Sequence, residues 1–106
     1  MNDIKVITLC GSTKFIKEFR ESEAMLTRKG FAVISPLLFE QDKSREISKE
    51  EATLFGRIHF KKIDISDEIF VIDVDGYIGE STKKEIAYAK RNNKNIKYYS
   101  NKKTTG

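Results

Sequence analysis

Four strand-sized apolar runs alternating with three helical patterns predict an α/β protein. The expected form is a single-domain three-layer sandwich: a flavodoxin- or Rossmann-like parallel sheet of four to five strands with helices on both faces. Three observations carry this. The elements alternate strictly, strand then helix, from one end of the chain to the other. Gly11, Gly30 and Pro36 punctuate the junctions where turns and helix ends favour those residues. Right-handed crossovers between parallel strands then favour a strand order of about 2-1-3-4.

Residues 4–10 form a mostly apolar first strand. Gly11, Ser12 and Thr13 make a turn, and either hydroxyl can cap the helix that follows. In that helix Phe15, Phe19, Ala24, Met25 and Leu26 recur at helical spacing, while Lys17, Glu18, Glu21 and Arg28 supply the wet face. Gly30 stands at its C-terminus. Residues 31–35 form a second strand closed by Pro36. Residues 37–47 are a charged loop, long for an α/β connection, and such loops often act as lids. Ser48 and Glu51 spell a capping box that opens a second helix through about Ile63. A third strand is expected over residues 68–74, a third helix over 82–92 and a short fourth strand over 96–99. The domain thus covers residues 1–99, and 100–106 read as a flexible tail.

The 106 residues suffice for one core, and 39% hydrophobic with 34% charged residues fits a globular chain, not a disordered one. No apolar run is long enough to span a membrane, and the first residues carry no signal-peptide pattern. Cys10 is the single cysteine, which excludes an internal disulfide and makes the cytoplasm the expected compartment. A net charge of +4 is spread among acids, which suits a small anionic ligand as well as a polynucleotide. The absence of Gly-x-Gly-x-x-Gly after the first strand argues against a dinucleotide oxidoreductase.

Candidate chemistry gathers at two strand-to-helix junctions. The first is Gly11-Ser12-Thr13-Lys14, where glycine lets backbone approach a ligand and the polar side chains can hold phosphate or ribose. The bland alternative is an ordinary capped turn. The second runs from Asp73 and Asp75 through Gly79, Ser81 and Thr82 to Glu85. Thr82 and Glu85 match a capping box. A carboxylate in a first helical turn is also favoured as the anion by the helix dipole and can attack an anomeric carbon. Asp73 and Asp75 are turn residues or ligands for ribose hydroxyls, a base or Mg²⁺. His59, the only histidine, is either a satisfied half-buried residue or a proton donor. Cys10 reads as a small apolar residue. No cluster has metal-ligand spacing, so neither metal nor cofactor is expected.

Three segments taken together resemble the nucleoside 2-deoxyribosyltransferase superfamily, which includes the 2′-deoxynucleoside 5′-phosphate N-hydrolases. They are Leu9-Cys-Gly-Ser-Thr-Lys-Phe15, Lys62-Ile-Asp-Ile-Ser-Asp-Glu-Ile-Phe-Val-Ile-Asp73 and Gly79-Glu-Ser-Thr-Lys-Lys-Glu-Ile-Ala-Tyr-Ala89, and the likeness covers residues 4–99. It implies that Glu85 is the nucleophile. Gly11, Ser12, Thr13 and Lys14 then form the phosphate or sugar loop, with Ser81 and Thr82 on its other side. His59 falls where the family carries an acid, so the proton donor is exchanged or the activity lost. The C-terminal segment that completes a neighbouring subunit's site in the transferases has no counterpart, which favours hydrolysis or binding over base exchange.

The expected function is therefore an N-glycosidase, hydrolase or deoxyribosyltransferase, acting on a nucleoside or nucleoside 5′-monophosphate. Glu85 would attack C1′, and His59, Asp73 or Asp75 would serve the leaving base. A non-catalytic nucleotide-binding or sensing module, a phosphoribohydrolase acting on ribonucleotides and a nucleic-acid binder are the alternatives. The expected partners are a small nucleoside or nucleotide and, from the resemblance, a second copy in a homodimer or higher homo-oligomer. Membrane and nucleic acid are not expected partners.

Overall fold

A computed structural model describes residues 3–36 and 47–103. The first half comprises β1 (Val6–Gly11), a 3₁₀ turn (Thr13–Phe15), α1 (Ile16–Arg28), β2 (Ala32–Ile34) and α2 (Lys49–Asp64). There follow β3 (Glu68–Ile72), a 3₁₀ turn (Val74–Gly76), α3 (Glu80–Arg91), β4 (Asn95–Tyr98) and a last 3₁₀ segment (Tyr99–Lys103). The sheet has the order β2-β1-β3-β4 with every pairing parallel, as the alternation and crossover rule predicted. The proposed lid falls almost wholly in residues 37–46, outside the described residues.

The central strands are built from β-branched and aromatic residues, and all five residues of β3 are buried. Alternate strand positions feed separate clusters. Ile7, Leu9, Phe70 and Ile72 pack with Phe19 and Leu26 of α1. Cys10, Ile69 and Val71 pack with Ile63 of α2 and with Ile86 and Ala89 of α3. Polar ties hold the register. Thr8 and Ser66 exchange a buried hydroxyl hydrogen bond of 2.5 Å, and Ser66 also donates to the Lys62 carbonyl at 2.7 Å. This pins the last turn of α2 against β1. One residue on, where β3 is about to begin, the Asp67 carboxylate accepts from the Val6 amide at 2.8 Å.

Two expectations change. The third helix begins at Glu80 after Gly79, two residues ahead of the expected start, and no side chain among the described residues caps it. Thr82 is buried instead of capping, so Thr82 and Glu85 form no capping box, and Glu85 stands in the second turn. The chain after β4 also does not fray at once: Ser100 donates its amide and its hydroxyl to the Asp73 carboxylate, both at 2.8 Å. By contrast the Ser48–Glu51 capping box forms with both reciprocal bonds, at 3.1 and 3.2 Å.

Candidate active site

Strand order reverses between β1 and β3, since the chain leaves β1 for β2 on one side and β3 for β4 on the other. At such a switch point a crevice opens beyond the strand C-termini. Gly11, the last residue of β1, pairs there with Ile72 of β3. A pocket of about 450 Å³ opens beside Gly11, within the size range of small-molecule sites. Gly11 and Thr13 line one side of it, and Glu85 of α3 reaches in from another. Its remaining wall comes largely from α2, where Phe55, Ile58, His59 and Lys62 follow helical spacing along one face. Pro36 and Ile47 complete an apolar rim.

The reactive groups meet at the junction of α2, α3 and β1. His59 Nε2 lies 3.5 Å from Glu85 Oε1, with side chains only 12% and 16% exposed. Cys10 Sγ lies 3.4 Å from the same nitrogen. Cys10 is fully buried, and that burial, followed by the neighbouring Glu85 carboxylate, pushes its thiol well above the ordinary value of 9.0. A neutral buried thiol is a poor nucleophile. Nor do the three groups form a nucleophile–base–acid relay, because carboxylate and sulfur both approach Nε2. Nδ1 is buried and finds no hydrogen-bond partner among the described residues. Lys62 donates to the Ser35 carbonyl at 3.0 Å, and partial burial lowers its pKa from 10.5.

No protein-family model and no curated protein matches this chain. The likeness to the deoxyribosyltransferases therefore rests on the three segments quoted above.

Of the residues singled out from the sequence, the fold brings Gly11, Thr13, His59 and Glu85 to one pocket. Glu85 gains a different electrostatic setting from the one expected. The dipole effect fades beyond the first helical turn, so the His59 ring, not the helix end, is the polar group that faces the Glu85 carboxylate. Gly11 is required for a structural reason. Its φ is +151°, and a Cβ there would lie 3.0 Å from Ile72 Cβ and 3.1 Å from the Ile72 carbonyl oxygen.

Asp73, expected to serve catalysis, is buried and spends both carboxylate oxygens on Ser100. Asp75 is exposed in a left-handed turn with φ 53°. Ser12 accepts from the Lys14 amide as the cap of its own turn, and the Lys14 ammonium sits 3.8 Å from the Tyr77 ring centroid. Gly79 is the α3 N-cap, Ser81 is exposed and Thr82 is buried. These seven residues do not line the pocket.

Lys62 and Cys10 went unassigned in the sequence. The 55, 58/59, 62 spacing on one face of α2 was a usable signal for Lys62. Nothing local signals Cys10. Its role depends on contacts with residues 49 and 75 positions away.

Proposed function

We propose that the protein cleaves the N-glycosidic bond of a nucleoside or nucleoside 5′-monophosphate, with Glu85 as nucleophile. The observation that carries this reading is the Glu85–His59 pair at the wall of a pocket that also presents apolar side chains. Phe55 and Ile58 offer a face against which a base can stack, and Lys62 and Thr13 suit a hydroxyl-rich or anionic end.

In the first step a Glu85 oxygen bonds to C1′ as the C1′–N bond breaks through an oxocarbenium-like transition state. His59 gives its proton to the departing base nitrogen. Water then attacks C1′, the ester bond to Glu85 breaks, and the water proton returns to His59. A second base in place of water would make the same cycle a transfer. Asp73 has no part in this cycle, because Ser100 holds both of its oxygens.

A non-catalytic nucleotide-binding module is favoured by one observation. Glu85 and His59 stand 3.5 Å apart, closer than the roughly 5 Å that separates the two groups of retaining glycosidases. Catalysis requires substrate to part them, whereas binding does not.

The test is release of free base from a panel of nucleosides and 5′-monophosphates, AMP and dAMP among them. Glu85→Gln is expected to reduce turnover by more than about a thousandfold, the scale of losing a covalent nucleophile. His59→Gln should cost about 10²–10⁴-fold. Substantial base release by Glu85→Gln defeats the covalent mechanism, and tight binding without release by the native protein assigns the binding module.

A further inference from the structure

Three side chains from distant parts of the chain converge at the base of the pocket. Cys10 is the last residue but one of β1, His59 lies midway along α2, and Glu85 lies in α3. Their donor atoms, one sulfur, one nitrogen and one carboxylate oxygen, all fall within 4.8 Å of one another. We propose that Cys10, His59 and Glu85 form a binding site for a thiophilic divalent cation of the Zn²⁺ type.

The spacing supports this. Tetrahedral zinc with bonds of about 2.3 Å to sulfur and 2.0–2.2 Å to nitrogen and oxygen places neighbouring ligand atoms about 3.3–3.6 Å apart. The observed separations are 3.4 Å from sulfur to nitrogen and 3.5 Å from nitrogen to oxygen. Convergence is the second support. Sulfur and carboxylate both address Nε2, which is the pattern of donors around a common centre. The donor set is the third. A thiolate, an imidazole and one carboxylate select zinc-like ions over magnesium or calcium, which prefer all-oxygen shells.

His59 and Glu85 line the pocket while Cys10 lies behind them, fully buried. A cation among the three is thus held from below, and its fourth position faces the pocket. Three protein ligands with one open position is the arrangement of zinc sites that bind water or a small anion. The site is independent of the glycosidase reading. Only a corollary rests on that reading: metal on Glu85 takes the lone pair needed at C1′, so bound metal silences base release.

The test is titration of the full, reduced, metal-free chain with Co²⁺, followed by absorption spectroscopy. One equivalent should produce intense tetrahedral d–d bands with a thiolate-to-cobalt charge-transfer band, and Zn²⁺ should displace it. Cys10→Ser should abolish the charge-transfer band. His59→Asn, a second variant at a partly exposed position, should weaken binding by more than the roughly 10–100-fold that loss of an outer-shell partner costs. Failure of the native chain to give a charge-transfer band overturns the site. So does an unchanged titration in His59→Asn, or only weak octahedral bands. Because the readout is spectroscopic, it stands or falls apart from any base-release assay.

Discussion

Replacing Gly11 with alanine tests whether this glycine serves the fold or a ligand. Gly11 closes β1 at φ +151°, a conformation that L side chains rarely adopt. Holding alanine there costs about 1–3 kcal/mol of backbone strain. The added methyl meets Ile72 Cβ at 3.0 Å, the Ile72 carbonyl oxygen at 3.1 Å and Phe19 Cζ at 3.4 Å. Two of those atoms are tied to the backbone of the central strand and cannot swing aside. Overpacking of that kind adds about 1–3 kcal/mol. The sum, about 2–6 kcal/mol, is a large share of the roughly 5–15 kcal/mol that holds a domain of this size. Urea unfolding followed by circular dichroism should show a lower midpoint with unchanged slope. Gly56→Ala is the internal control. Gly56 sits inside α2, where a new methyl would meet no atom of another element within 4 Å among the described residues, so the substitution should gain about 0.5–1 kcal/mol. A Gly11→Ala protein within about 0.5 kcal/mol of native, on the scale of a neutral surface change, refutes the packing argument and returns Gly11 to the role of a ligand-facing turn.

Asp73→Asn should lose about 1–3 kcal/mol of stability, because an NH2 donor replaces one of the two oxygens that accept from Ser100, yet leave base release intact. A collapse in turnover without loss of stability contradicts the structural role. Cys10 in the native, metal-free chain should resist thiol reagents at neutral pH until unfolding exposes it. Its thiol also predicts a pH effect. The folded pKa is raised, so above 9.0 the unfolded chain gives up its proton first and stability falls as pH rises. Lys62, lowered from 10.5 by burial, acts in the opposite sense below that value. The discriminating measurement is therefore the difference in urea midpoint between native and Cys10→Ala across pH 8–10, roughly the window set by these two groups. A constant difference contradicts the raised thiol. Phe19→Ala should cost about 3–5 kcal/mol, since its ring is 2% exposed within the α1 cluster.

The periodic features of this fold were legible in the sequence because their causes are local. Alternation of apolar runs with helical stripes predicts a parallel sheet, and handed crossovers convert that alternation into β2-β1-β3-β4. The Ser48–Glu51 box opens α2 where the motif says, since both partners lie within one helical turn. Thr82 and Glu85 show where that logic fails. The same spacing occurs there, but packing draws Thr82 inward and α3 starts at Glu80.

Glu85 could be nominated from its residue type beside a strand-to-helix junction, and His59 as the only histidine of the sequence. Their meeting could not, because it depends on how α2 and α3 lie against β1. The same holds for the partners that redirect neighbouring groups: Ser100 takes Asp73 away from the pocket, and Tyr77 takes Lys14. Cys10 is the clearest case. Alone it is a small apolar residue at the end of a strand, as sequence reasoning holds. Tertiary structure sets it against His59 and Glu85, and only that through-space convergence makes sulfur, nitrogen and oxygen into one chemical site. Backbone periodicity is written in neighbouring residues, whereas a site is made of distances between residues that the chain keeps far apart.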